Sequence, residues 1–359
     1  MHFSRQTLLL SALLAFVPVL DGNACTNIII TKGASLDGST LVSYAADSHY
    51  LFGELYFHPA ADWKDGSMLR ITDWDTGKYL GEIEQVSHTY RTIGNMNEKQ
   101  VIITETTWGG REELMDRKGG IDYGSLIYIA LQRAANAREA IAVIVELANT
   151  YGYASEGETF SIADKNEAWI MELIGKGTRI RNGVNQDKGI VWVALRVPDG
   201  AICAHANQSR IGAFPLDDPD NCLYSKDVIS LARKKGYFDG PDEEFSFKKA
   251  YGPADFGTVR GCDARVWSAF NILTDGWFSY YDESGRAVTR DAYAFLDYAM
   301  GYDLEGDLPL FIYPKNKVTV KAVADVMRDH YEGTPMDMTQ DIGAGGNALP
   351  YRWRPMEFK

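Results

Sequence analysis

Cys25 stands directly behind an apolar stretch, residues 8–20, which closes on the small-x-small sequence Gly22-Asn23-Ala24. A cut after Ala24 would give this cysteine a free α-amine beside its thiol. The thiolate is the nucleophile, but a free thiol with a pKa of about 8.5 is only a few per cent ionised near neutrality. An α-amine titrates at about 7.7–8.0, so it can take the thiol proton and hand it back. One residue at the new terminus would thus supply nucleophile and base within a few ångströms. No catalytic histidine is required. The chemistry on offer is attack on an amide carbonyl, with a covalent acyl-thioester as the intermediate. On position alone, the alternative is a cysteine that happens to follow a cleavage point.

The leader has the features of a secretory signal peptide over 1–24. Residues 1–6 carry Arg5 and no acid, and the apolar run is too short for a membrane span. The mature chain is therefore expected to be exported, to a periplasm or the outside. Lipid anchoring through Cys25 is the weaker alternative, because Gly22 stands where a lipidation site normally has leucine. No other segment is long and apolar enough to cross a bilayer.

Composition narrows the function classes. The chain has 359 residues, 45% hydrophobic and 24% charged, enough for a large core. The net charge of −13 speaks against nucleic acid and anionic lipid, which need a basic surface. The four cysteines, Cys25, Cys203, Cys222 and Cys262, do not form a CxxC motif, and only a pair such as Cys222 with Cys262 is worth considering as a disulfide. There is no HExxH or spaced His/Cys cluster, so neither metal nor cofactor is expected. His49, His58, His88, His205 and His330 are scattered and read as polar or packed residues.

The elements around Cys25 follow from the pattern. CTNIIITK at 25–32 is β-rich, Asp37-Gly38 is a turn signal, and 40–44 returns, so the mature chain opens on a hairpin. Hairpin-like segments are expected over 53–58, 67–72 and 84–92, and a strand over 100–106. Apolar residues at three- and four-residue steps predict helices over 125–133 and 137–151, with Asn136 as N-cap and Gly152 as terminator. Strands are expected over 159–164, 168–174, 189–197 and 201–206, and helices over 225–235, 246–251, 290–300 and 321–330. Hairpins, a helix pair, more hairpins and then helices indicate one α+β domain over 25–359.

Five stretches carry a family resemblance: CTNIIITKGASLDGST (25–40), SYAADSHYLFGELY (43–56), NMNEKQVIITETTW (95–108), ICAHANQSRIG (202–212) and DARVWSAFNIL (263–273). In this order they resemble the N-terminal-nucleophile dipeptidases of peptidase family C69, and they span most of the mature chain. The resemblance implies an αββα four-layer sandwich, two antiparallel sheets between helix layers. It also implies a cysteine dipeptidase acting on dipeptides or short peptides. A sister activity on N-acyl amides, of the bile-salt or penicillin amidase type, stays open, as does a non-catalytic remnant. Residue by residue, Cys25 would be the nucleophile with its own amine as base, and Asp47 would hold or orient that amine. Asn207 would donate to the oxyanion, with a further donor from 104–107, and Arg265, rather than Arg260, would favour the thiolate.

Two departures stand out. Tyr44-Ala45 replaces an Arg-Asn pair common in the family, which would shift the arginine's task to Arg265. Relatives also continue past a stretch like YRWRPMEFK with further strands, whereas this sequence stops at Lys359. An open sheet edge there would favour a completing fragment or a homo-oligomer.

Overall fold

The computed structural model describes residues 24–47 and 53–337. The expected leader and the terminal segment past 337 lie outside the described residues, except that Ala24 opens the first strand. Along the chain, β1 (Ala24–Ile30) and β2 (Leu41–Asp47) form a hairpin. Short strands follow, among them the Met68–Thr72 and Tyr79–Glu84 pair. β3 (Ile102–Trp108) leads to helices α1 (Tyr123–Arg133) and α2 (Ala137–Tyr151). Next come β4 (Gly157–Ala163), β5 (Ala168–Gly175), β6 (Ile190–Arg196), β7 (Ile202–Ala206) and β8 (Cys222–Tyr224). Later elements include helix α3 (Ala264–Leu273), strand β9 (Phe311–Ile312) and helix α4 (Val320–Val326).

The strands form two main antiparallel sheets. One has the order β2-β1-β7-β9. The other runs β8-β6-β5-β4-β3 and then continues through Met96–Asn97, Thr92–Ile93 and Phe57–His58. The mixed α+β class expected from the sequence is the class observed.

Alternation along β1 shows how the first sheet is placed. Ile28 and Ile30 are fully buried in a cluster with Trp267 and Phe270 of α3. Ile29 instead joins Cys203 with Trp108, Ala163 and Ile170 of the second sheet. Successive side chains of a strand point to opposite faces, so β1 packs helices on one side and a sheet on the other. The second sheet also buries Ile103, Phe160 and Met171 against Ile129, Ile141 and Ile144 of α1 and α2. Both helices carry the expected apolar stripe. Asn136 caps α2 by accepting from the Glu139 N–H at 2.9 Å, and Gly152 ends it at φ +85°, where a side chain would be strained.

Two elements differ from expectation. Over 290–300 the chain first completes a strand, Ala287–Asp291, paired with Trp277–Tyr281, and only then makes two short helical turns. The turn at Asp282, whose carboxylate accepts from the N–H groups of Ser284 and Arg286, fixes that hairpin. α3 was not expected, although it carries one of the candidate site residues. Its sequence ARVWSAFNIL is rich in β-branched and aromatic residues, which blur the helical period. A Cys222–Cys262 disulfide is not formed, and all four cysteines are buried outside any disulfide.

Candidate active site

Cys25 is the second residue of β1, held between β2 and β7 near the start of α3. In register, Ala24 faces Asp47, Cys25 faces Ala46, and Thr26 faces Ala206 across β7. The peptide N–H of Cys25 donates to Asn207 Oδ1 at 2.7 Å, just past the end of β7. Arg265 Nη1 donates to the Cys25 carbonyl at 2.6 Å and to Thr26 Oγ1 at 2.8 Å. Its Nη2 donates to Asn207 Oδ1 at 2.9 Å, and its Nε to the Gly261 carbonyl at 2.8 Å. Nitrogen and carbonyl of Cys25 are therefore both gripped. The side chain is only 5% exposed.

Asn207 is engaged at both ends of its amide. Asn207 Nδ2 donates one of its two N–H groups to the Thr107 carbonyl at 2.7 Å. Its oxygen takes the Cys25 N–H and Arg265. The residue thereby fixes the position of the Cys25 nitrogen. Asp47 stands opposite Ala24, one residue from that nitrogen. Desolvation pushes its carboxyl up, and Arg265 pulls it down. Arg260 stacks over the Tyr331 ring at 5.9 Å, and among the described residues it is Arg265 that reaches Cys25.

The loop that presents Asn207 is fixed from beneath. Glu172 on β5, fully buried, accepts from Ser209 Oγ and from the N–H groups of Arg210 and Ile211. Arg210 in turn pairs with Asp263 at 3.4 Å, with both side chains almost fully buried, and Tyr298 donates to the same carboxylate. Asp263 lies at the end of a π-helical turn, Val259–Asp263, that runs into α3. Such turns are uncommon and often mark functional sites. Here it brings Cys262 Sγ to 3.3 Å from the Asn207 carbonyl and sets Arg265 one turn on.

Sequence reasoning missed the carboxyl side of the site. Cys25 Sγ lies 3.7 Å from Glu105 Oε1, which also accepts from the Tyr44 hydroxyl at 2.6 Å. Tyr44 is the residue that stands in place of the family's arginine, and it offers a neutral donor. Glu158, on the neighbouring strand β4, accepts from Thr107 Oγ1 at 3.0 Å. Glu105 is 1% exposed and Glu158 is 0% exposed. Burial raises Glu105, and burial together with the charge of Glu105 raises Glu158 further. Burial, followed by these two carboxylates, also pushes the Cys25 thiol far up, against the pull of Arg265. With its nitrogen tied in a peptide bond, the thiol is held protonated. The usable signal was an acid inside each of two β-rich runs, IITETTW and GETFSIA.

Behind the site, His205 bridges the two sheets. Thr106 Oγ1 donates to the Ala206 carbonyl at 2.7 Å, so it must accept from His205 Nδ1 at 2.8 Å. Nε2 then accepts from Ser161 Oγ at 2.7 Å, and the imidazole is neutral with its proton on Nδ1. Burial, and secondarily Arg210, depresses its pKa to about 3. An unfolded histidine titrates at about 6.5, so the unfolded chain binds more protons between those values. The stabilisation is complete above the unfolded pKa and is lost progressively as pH falls towards the folded one. We expect the unfolding free energy to drop by about 2 kcal/mol from this group between neutrality and pH ~5. Urea titrations of wild type and His205→Gln should show it: the glutamine can still bridge but does not titrate, so its pH dependence should be shallower. Equal slopes would refute the assignment.

Among the described residues, no group of three or more His, Cys, Asp or Glu side chains is arranged to hold a metal ion. No helix among them is long and apolar enough to cross a membrane.

The site thus joins a thiol near the start of a strand, held by an arginine and an asparagine, to two buried carboxyls. The profile of peptidase family C69 matches residues 54–359, and the chain belongs to that family. It is 24% identical over 335 residues to a probable dipeptidase of Latilactobacillus sakei, covering 88% of this chain and 62% of that protein. It is 25% identical over 334 residues to a probable dipeptidase of Salmonella dublin, covering 88% and 68%. A probable dipeptidase B of Streptococcus pyogenes serotype M3 is 25% identical over 377 residues, covering 94% and 71%. The chain thus spans about two thirds of the length of these relatives.

Proposed function

We propose that the protein is an exported cysteine dipeptidase that hydrolyses the amide bond of dipeptides and short peptides. Cys25 is its nucleophile once the leader is removed. Membership of peptidase family C69 and relatives named as probable dipeptidases support the reaction class. The observation that carries the mechanism is the double grip on the Cys25 backbone, Asn207 on nitrogen and Arg265 on oxygen. Such a grip keeps a chain terminus in place after the residues before it have gone. The three core clusters, helices on sheet, sheet on sheet and sheet on helices, support an αββα layering in one domain over 25–359.

The steps follow from the groups present. Cleavage after Ala24 turns the Cys25 nitrogen into an amine, which keeps its bond to Asn207 and gains Asp47 as a neighbouring acid. The amine takes the Sγ proton as sulfur bonds to the peptide carbonyl carbon. The proton then passes to the leaving amine as the C–N bond breaks, which leaves a thioester. A water, deprotonated by the same amine, hydrolyses the thioester and restores the thiol. The new ammonium also adds a positive charge near Asp47, which lowers the cost of ionising the thiol. The test is the mass of the mature N-terminal peptide together with a dipeptide assay. We expect a free Cys25 terminus and activity only in the processed form. An uncut leader, or an acylated Cys25 amine in an active protein, would overturn the mechanism.

A further inference from the structure

We infer that the Glu105–Glu158 carboxyl pair is the subsite for the free α-ammonium of the peptide whose carbonyl Cys25 attacks. The inference rests on the hydrolase reading above and deepens it, by choosing free peptides over N-acyl amides.

Position comes first. Glu105 Oε1 is 3.7 Å from Sγ. In a peptide with a free N-terminal residue, the ammonium nitrogen is two bonds, about 2.5 Å, from the carbonyl carbon that sulfur attacks. An ammonium so tethered falls within hydrogen-bond reach of a carboxylate that already touches Sγ.

The second observation is what the pair lacks. Among the described residues, none outside the pair donates a hydrogen bond to the buried oxygens Glu105 Oε2 and Glu158 Oε1. Their other oxygens take neutral donors, the Tyr44 and Thr107 hydroxyls and the Cys25 thiol. Two buried carboxylates on adjacent strands cannot both be charged without a positive charge between them. Arg265 does not supply it, because each of its nitrogens is engaged with Gly261, Cys25, Thr26 or Asn207. In the empty site one proton shared between the carboxyls does so. When substrate binds, its ammonium takes that place, donates to both oxygens, and the proton leaves to solvent. Among the described residues, the titratable groups that act most strongly on the pair include Cys25, Tyr44, Asp75, Tyr123 and Tyr153, and none of these five is a cation. The half-buried Tyr123 donates to the exposed Asp75 at 3.0 Å, so the negative charge continues outward to solvent. An N-acylated substrate brings a neutral amide and leaves the pair with its proton.

The experiment compares Ala-Ala with N-acetyl-Ala-Ala on processed wild type, Glu105→Gln and Glu158→Gln. Wild type should favour the free dipeptide in kcat/KM by roughly 10- to 100-fold, the range for a hydrogen bond to a charged group. In Glu105→Gln that ratio should collapse towards one through loss on the free dipeptide alone. A merely structural role would lower both substrates together and leave the ratio unchanged, which would overturn the inference. Calorimetry on processed Cys25→Ala separates this from the mechanism. If wild type cleaves neither peptide, the hydrolase reading fails. Tighter binding of Ala-Ala than of its N-acetyl form, with release of a proton, would still uphold the subsite. Equal binding, or no binding of either, would sink it.

Discussion

Cys25→Ala is expected to lower dipeptide hydrolysis by roughly 10⁴-fold or more, the scale seen when a covalent nucleophile is removed. The fold should survive. The alanine keeps the backbone bonds to Asn207 and Arg265 and gives up only the sulfur's contact with Glu105. Loss of one small buried side chain at the edge of the core costs about 1–2 kcal/mol. Cys25→Ser is expected to recover little, because a hydroxyl is far less acidic than a thiol and the same carboxylates oppose its ionisation. The measurement is kcat on a dipeptide panel for processed proteins of matched thermal stability. Undiminished hydrolysis by the alanine variant would exclude the thiol as nucleophile.

Arg265→Ala is expected to reduce kcat/KM by about 10²–10³, the usual loss when a fixed electrostatic donor is removed from an active site. Besides the Gly261 carbonyl, three acceptors around Cys25 would be released at once: the Cys25 carbonyl, Thr26 Oγ1 and Asn207 Oδ1. The nucleophile's backbone and the residue that orients its nitrogen would both loosen. The guanidinium is also the charge that pulls the thiol's pKa down, so its removal raises that pKa. The rise of activity with pH should then move to higher pH, a shift that loss of packing alone would not cause. Arg265→Lys should restore little rate, because an ammonium cannot span three acceptors with a planar fork. It should bring the pH profile part of the way back. An unchanged profile in the alanine variant would show that the arginine acts on geometry alone.

The sequence made some of this legible because it is local. The hairpin at Cys25, the α1–α2 pair and the cap at Asn136 follow from alternation, three-to-four periodicity and capping chemistry, all of which act over a few residues. Arg265 could be named from its resemblance, but its helix could not, because VWSAF suits strand and helix alike. Its placement comes from the π turn and from a core built by Trp267 and Phe270 against β1 and β7. Asn207 shows the limit more sharply. Its amide type and place in HANQS suggested a donor, and only the neighbours Thr107 and Arg265 decided which way the amide faces.

What the sequence alone determined was the cysteine that cleavage after Ala24 would expose, the strand it opens, and the family. What only the tertiary structure decided was the environment of its sulfur. Glu105 is 80 residues from Cys25 in sequence, and Asn207 is 182 residues away. The charges that set a thiol's reactivity act through space, over a few ångströms and in the low dielectric of the interior. Spacing along the chain carries no record of such a distance until the two sheets have packed.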